Sequence, residues 1–442
     1  MLIFAFVPLL AIPMGIVYAE NPNLYVSAEN PYFENHFAGS MVVEVIVRNS
    51  DIRDTSESMG EPDVTINGNS LRMVQTTDGN WYAYFTHIDA AKAADSTVMR
   101  AGEGLDFGVF CGNNTSASIF GISLSESKGF AVPSSSGLEG FSNGNEKFSE
   151  CSGTPSGLGH NNIVRNPKQI NTNSGILPGQ IGLDPDAWPL VQLFSFSDVV
   201  IRYNPGTGVQ KVELKYGEIP NISVHTDRNS YPQNSHVFLT IRDVQLNQDP
   251  TDEDLWTFET GTPNAIFYDV FDRNGTIRNH TLADLYPNLS EMGFDDNGVL
   301  SINAGEILEF GTNSEQSQTL TDGNRKFSQV VTISESGRNS GIFDTADYSD
   351  ESLISVRHDA PRGHAAAISY NDDTISLLTG TESADISLGR PSLVMDVSGP
   401  LLPGTKIPII LVDEDQNLNS GIRETLDVFR STAIPNLSLI HI

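Results

Sequence analysis

A strand-forming pattern that occurs three times along the chain constrains the fold more than any other feature of the sequence. Its clearest copy opens Pro220-Asn221-Ile222-Ser223-Val224, turns at Ser230-Tyr231-Pro232, and alternates Val237, Leu239 and Ile241 against His236, Phe238 and Thr240. It then empties into the acidic loop Asp243-Val244-Gln245-Leu246-Asn247-Gln248-Asp249-Pro250-Thr251-Asp252. Alternation with a period of two puts one set of side chains on a buried face and the other toward solvent, so it predicts a half-buried β-strand. Near the C-terminus the pattern returns as Pro391-Ser392-Leu393-Val394-Met395, a Pro403-Gly404 turn, a strand carrying Ile407, Ile409 and Leu411, then Asp413-Glu414-Asp415-Gln416-Asn417-Leu418-Asn419. Near the N-terminus it reads Pro22-Asn23-Leu24-Tyr25-Val26, a turn at Gly39, alternating Met41, Val43, Val45 and Val47, then Asn49-Ser50-Asp51-Ile52-Arg53-Asp54. The leading prolines are 198 residues apart (22 to 220) and then 171 (220 to 391). Solenoid units run only ~20–50 residues. The copies therefore mark the first strands of successive β-domains joined end to end.

The rest of the chain agrees with that division. A signal-like apolar run, Met1 to Ala19, ends Val17-Tyr18-Ala19 and predicts a secretory leader cleaved after Ala19, although it lacks the usual basic start. A first domain is expected over 20–218. Within it, Leu71 to Gln75 and Trp81 to Phe85 form a hairpin about Asp78-Gly79, and Val199, Ile201 and Tyr203 face Val212, Leu214 and Tyr216 across Asn204-Pro205-Gly206. The Ser/Gly/Asn-rich sequence between Cys111 and Cys151 and on to about residue 180 reads as a long ordered loop or insertion pinned by a disulfide. A second domain is expected over 219–390, with strands at 265–271, 299–310, 329–335, 353–358 and 365–370. The third begins at 391 and is too short by 442 to complete a like unit, so the chain is expected to be part of a longer protein. With 38 Gly, 23 Pro and no long helical periodicity (Asp89 to Met99 is the nearest candidate), the predicted class is all-β, as tandem immunoglobulin-like β-sandwich domains.

Charge narrows the partners. Fifty-six acids against 25 bases give −31, which argues against nucleic acid and anionic membrane. Two cysteines suit an exported chain with one disulfide, Cys111 to Cys151, whose loop closure is worth about 4 kcal/mol on the chain-entropy model. Sequons at Asn113, Asn114, Asn221, Asn274, Asn279 and Asn288 lie in loop-like surroundings as acceptors of N-glycans. Asp413, Asp415, Asn417 and Asn419 alternate as hard oxygen ligands do around calcium, with Asp243, Asn247, Asp249 and Asp252 as the second-domain equivalents and Asp51 and Asp54 as the first. Leu418 stands where an EF-hand needs glycine, so a structural Ca2+ at a domain junction is the form expected. The bland alternative for each loop is an Asx-turn that satisfies its own backbone. Catalytic signals are poor. Gly140-Phe141-Ser142-Asn143-Gly144 fits the nucleophile-elbow pattern but lies in low-complexity sequence, and no histidines have zinc spacing.

Several of these segments resemble one family. Glu29-Asn30-Pro31-Tyr32-Phe33 with Met41 to Val47, Glu61-Pro62-Asp63-Val64-Thr65-Ile66-Asn67-Gly68, Leu71 through Phe85, Ala187-Trp188-Pro189-Leu190 and Gln245 through Asp254 look like the major S-layer protein of ammonia-oxidising archaea. The resemblance extends from the leader to about Asp413. It implies a longer, glycosylated protein of tandem immunoglobulin-like domains that assembles with copies of itself into a two-dimensional lattice at the cell surface, and it carries over no catalytic residue. Divalent cations bridging acidic loops and small cations held near carboxylate-lined pores are the partners expected of such a lattice. The alternative is a secreted immunoglobulin-like adhesin or other extracellular binding module.

Overall fold

The computed structural model describes residues 21–56, 59–76, 78–99, 104–113, 124–132, 151–153, 190–261, 265–272, 275–277, 284–311, 320–322, 325–346, 350–379, 392–395, 403–404, 406–413 and 416–425. The expected leader, most of the Ser/Gly/Asn-rich stretch with Ser142, and Asn114, Asn274, Asn279 and Asp415 lie outside the described residues. The described chain is all-β, with immunoglobulin-like sandwiches in tandem and a single α-helix, Ile88–Ser96, among the described residues. No helix among them is long and apolar enough to cross a membrane.

The sheets sort along the chain. A first module holds an eight-stranded sheet running Leu24–Val26, Val43–Val47, Trp81–His87, Val191–Phe194, Gly129–Val132, Val109–Gly112, Cys151–Gly153, with Val74–Gln75 also on Trp81–His87. Facing it are five strands in the order His36–Phe37, Gln210–Tyr216, Asp198–Tyr203, Val64–Ile66, Asn69–Ser70. Both hairpins expected here form, and Ile201 pairs with Val212 and Val199 with Leu214. The alternation in Val43–Val47 places Val43, Val45 and Val47 in the core beneath the five-stranded sheet. Its other face is buried too, since Glu44 is 8% exposed and the neighbouring Tyr84 is fully enclosed. A half-buried strand was the expectation. The second face is covered because Tyr84 and Val42 belong to an apolar cluster that continues into Leu246, Trp256 and Phe294 of the next module.

The second module has six strands in the order Ser223–Thr226, Leu239–Arg242, Ile342–Asp344, Val330–Glu335, Leu255–Glu259, Ala265–Tyr268. A four-stranded sheet (Ser230–Tyr231, Asp373–Thr379, Ala365–Tyr370, Leu300–Asn303) and a three-stranded one (His236–Val237, Ile354–Val356, Leu308–Phe310) accompany it. Two expected single strands are split. The 299–310 run breaks at Gly305, whose φ of +54° suits a residue without a side chain, and its halves join different sheets. Likewise His236–Val237 and Leu239–Arg242 belong to separate sheets. A third hairpin, Ser392–Met395 on Ile409–Val412, follows.

Antiparallel pairing sets Cys151 directly opposite Cys111. Cross-strand partners stand about 4.5–5.5 Å apart at Cα, within the range a disulfide spans.

Candidate functional site

The acidic loop after Leu239–Arg242 is the functional feature the sequence marks most clearly, and the structure turns it inward. Asp243 caps the short 3-10 turn Val244–Leu246, accepting from the Gln245 N–H at 2.8 Å, while its other oxygen accepts from the Tyr370 hydroxyl at 2.6 Å. Full burial pushes its carboxyl up from the ordinary range. The Trp256 indole N–H closes the turn on the Leu246 carbonyl at 2.7 Å. Asp249 accepts from the backbone N–H and hydroxyl of Thr251 at 2.9 and 2.6 Å, an Asx-turn. Asn247 meets the Asn339 amide at 2.8 Å, and Asn339 in turn donates to the Ser27 carbonyl of the first module at 2.9 Å. Only Asp252 is exposed.

Gln248 carries the contact between modules. Its carbonyl accepts from the Val42 N–H at 3.1 Å, and its side-chain oxygen accepts from the Ser40 hydroxyl at 2.6 Å. Beside this bond two backbones cross at Gly39 and Gly293. A Cβ on Gly39 would lie 2.6 Å from the Met292 carbonyl, and one on Gly293 would lie 2.8 Å from the Gly39 Cα.

Behind the loop sit two buried acids. Asp254 accepts from the N–H groups of Gln248 (2.7 Å) and Asp249 (3.1 Å) and from the Tyr268 hydroxyl. Glu335 accepts from the N–H groups of Ser340 and Gly341 at 2.6 and 2.8 Å, and its own N–H donates to the Asp254 carbonyl at 2.9 Å. Burial, with the charges of Glu335 and Asp249, pushes Asp254 well up, and burial pushes Glu335 up to about 7. These acids act as acceptors that shape the loop. Among the described residues no group of three or more His, Cys, Asp or Glu side chains gathers as a metal would require.

The first-module equivalent repeats the internal wiring on the surface. Asn49 caps Ser50–Ile52 and donates to the Tyr203 hydroxyl at 2.7 Å, and the Trp81 indole N–H donates to the Ile52 carbonyl at 3.0 Å. Asp51 and Asp54 are exposed, the latter in a turn with Ser56. Capping residue, tryptophan and tyrosine thus recur in both modules, although the strands between them differ in order. Nothing local in the sequence marks the two tryptophans as a pair, because Trp81 reaches back 29 residues and Trp256 only 10 to its turn. Trp256→Phe removes the indole donor from the buried Leu246 carbonyl and should cost about 1–3 kcal/mol in chemical unfolding, whereas Trp81→Phe should cost less, because Gln75 Nε2 also donates to the Ile52 carbonyl at 3.1 Å.

The loop after the third hairpin also docks. Asp413 sits at its start, the Asn417 carbonyl accepts from Arg228 Nη1 at 2.6 Å, and Asn419 makes an Asx-turn with the Gly421 N–H at 2.9 Å. The expected glycan acceptors among the described residues are dispersed: Asn113 and Asn221 are exposed, and Asn288 is half-buried in a 3-10 turn. A separate cavity is lined by Asp295, Asp296 and Asn297 with Glu218 and Asp372. The Asn221 amide already donates to the Tyr32 carbonyl at 2.8 Å.

Neither a protein-family model nor a curated protein matches this sequence. Among solved structures, the adhesin InvE of Yersinia pseudotuberculosis is similar at 7% identity and a TM-score of 0.17, over 78% of this chain and 56% of that one. The chain thus spans little more than half the length of that structure, and a likeness this loose carries no argument.

Proposed function

We propose that this chain is a structural protein of the cell surface that assembles with its own copies into an acidic layer, and that it has no catalytic role. The observation that carries the reading is the way its modules are joined. A buried loop of one module is held to the module before it by one main-chain and one side-chain hydrogen bond of Gln248, beside a backbone crossing at Gly39 and Gly293, which suits a stiff string built to hold a lattice spacing. The net charge of −31 and the resemblance of residues 29–85 and 245–254 to a surface-layer protein support the same conclusion. Of the loop carboxylates expected to meet divalent cations, Asp51, Asp54 and Asp252 face solvent, whereas Asp243 and Asp249 are buried in the loop.

Imaging the purified protein by negative stain, with and without a chelator, tests this. Ordered sheets that dissolve on chelation are expected; a protein that stays monomeric in both conditions would sink the reading. Abundance separates it from an adhesin, because a lattice protein dominates an envelope and an adhesin is sparse.

An exported protein should also carry the Cys111–Cys151 cross-link that the strand register permits. Thiol labelling under denaturing conditions should fail without reductant, and Cys111→Ser should cost a few kcal/mol, about 4 at most. Free labelling of both thiols would contradict it.

A further inference from the structure

Two buried oxygens, on side chains that meet at Gly261 in the second module, have no hydrogen-bond donor. Glu259, which ends the strand Leu255–Glu259, is only 2% exposed. Its Oε1 accepts from the N–H groups of Gly261 and Gln329 at 3.0 and 3.3 Å, whereas its buried Oε2 accepts from no group. The carbonyl of Gln329 accepts from the Thr260 N–H and hydroxyl at 2.8 and 3.0 Å, yet its side-chain Oε1, also buried, has no donor. Among the described residues no basic side chain pairs with Glu259. Buried acceptors are nearly always satisfied, and a carboxylate held out of water needs a compensating charge as well.

The glycine brings the two side chains together. Its N–H holds the Glu259 carboxylate, and a Cβ added to it would lie 2.8 Å from Gln329 Cδ and 3.1 Å from the Gln329 Oε1. Gly261 and Gln329 line an open notch together with Thr260, Ser301 and Asn303, and none of the residues lining it is basic. Its volume of about 530 Å³ leaves room for an ion that keeps several waters, each of which takes ~30 Å³. The notch lies where two sheets touch, since the Ile302 N–H of Leu300–Asn303 donates to the Thr260 carbonyl at 3.2 Å just past the end of Leu255–Glu259. None of these residues belongs to the acidic loops that the sequence marks.

We propose that this notch is a calcium site in which Glu259 Oε2 and Gln329 Oε1 bind the ion and water completes its shell. Calcium takes about 6–8 oxygens, and amide carbonyls and waters serve beside carboxylates. A single water can donate to both oxygens, but it leaves the charge of Glu259 uncompensated, whereas a cation answers both needs. A group of three acid or histidine side chains is what a metal requires when the protein alone must hold it; an ion that keeps part of its water needs fewer. One carboxylate and one amide make a weak site, in the range of about 0.1–1 mM found for extracellular modules. Because the ligands come from the end of Leu255–Glu259 and from the residue before Val330–Glu335, binding stiffens the turn at 260–261. The site lies within one module and stands whether or not copies assemble.

Calcium titration of the full chain at constant ionic strength, read by hydrogen exchange of peptides spanning 255–261 and 325–331, tests it. At about 10 mM calcium, roughly ten times the expected dissociation constant, exchange of the Gly261 and Gln329 N–H groups should slow about tenfold. Magnesium, which demands a tighter octahedral shell, should do far less. Glu259→Gln keeps an oxygen for both N–H groups and should weaken calcium binding at least tenfold. Gly261→Ala pushes the Gln329 amide aside and should weaken it too. Replacing Asp51, Asp54 and Asp252 by asparagine should leave the response unchanged. No calcium dependence in the wild-type chain, an equal response to magnesium, or a response that survives Glu259→Gln overturns the site, as does one that the three surface replacements abolish. If Glu259→Gln loses the wild-type circular dichroism, Gln329→Ala carries the same test, and full binding by that variant overturns the site equally.

Discussion

Replacing Gly39 by alanine should uncouple the first two modules. Gly39 has a φ of +57°, where an L side chain costs roughly 1–2 kcal/mol in any protein. Here the new methyl would also meet the Met292 carbonyl at 2.6 Å, and that atom is backbone, so it cannot swing aside. Relief requires the modules to part, which stretches the Gln248 carbonyl bond to Val42 and the Asn339 bond to Ser27. A total near 3 kcal/mol or more is expected, from strain plus buried polar groups losing partners. Thermal unfolding should change from one transition to two as the modules melt separately. Gly68→Ala is the control, since its φ of +85° carries the conformational cost while nothing lies within 4 Å of the added carbon. It should lose only about 1 kcal/mol and keep a single transition. If Gly39→Ala is no worse than Gly68→Ala, the crossing does not hold the modules together.

Acidification from pH 8.5 to 5.5 should stabilise this protein, despite its many carboxylates. Glu335 titrates at its ordinary value near 4.5 when unfolded and at about 7 when folded, so the folded state binds the proton more tightly. The stability so contributed is complete below the unfolded value and is lost as pH rises through about 7, roughly 3 kcal/mol in all and about 2 of it between pH 5.5 and 8.5. Asp254 moves in the same direction, as does Asp95, pushed up to about 7 by burial near the end of the helix Ile88–Ser96. Carboxylates held low, such as Asp78, contribute the opposite slope, but only at more acid pH. Glu335→Gln keeps an oxygen for the Ser340 and Gly341 N–H groups and should flatten the slope of melting temperature against pH. Repulsion among surface acids would give a similar trend, yet high salt screens it and leaves a buried pair almost untouched. A melting temperature that climbs toward pH 8.5, or a slope that salt abolishes, would contradict the assignment to Glu335 and Asp254.

Much of the local structure was legible. Val43, Val45 and Val47 faced inward as their alternation required, and the turn at Asp78-Gly79 and the register of Val199 on Leu214 followed from glycine chemistry and strand period. The acidic loops were legible as loops but not as interiors. Asp243 reads the same whether its oxygens face calcium, water or the Tyr370 hydroxyl, and Tyr370 lies more than a hundred residues further on. Nor could Gln248 be singled out, because its partners Ser40 and Val42 bond it only once two modules meet.

What the sequence determined by itself was the repeated β-module, since period-two alternation and turn residues act over a few neighbours and need no distant partner. The tertiary structure alone decided that the acids of the second loop point inward. An ionisable group is buried only where hydrogen-bond donors from remote strands converge on it, and that convergence depends on how the modules pack.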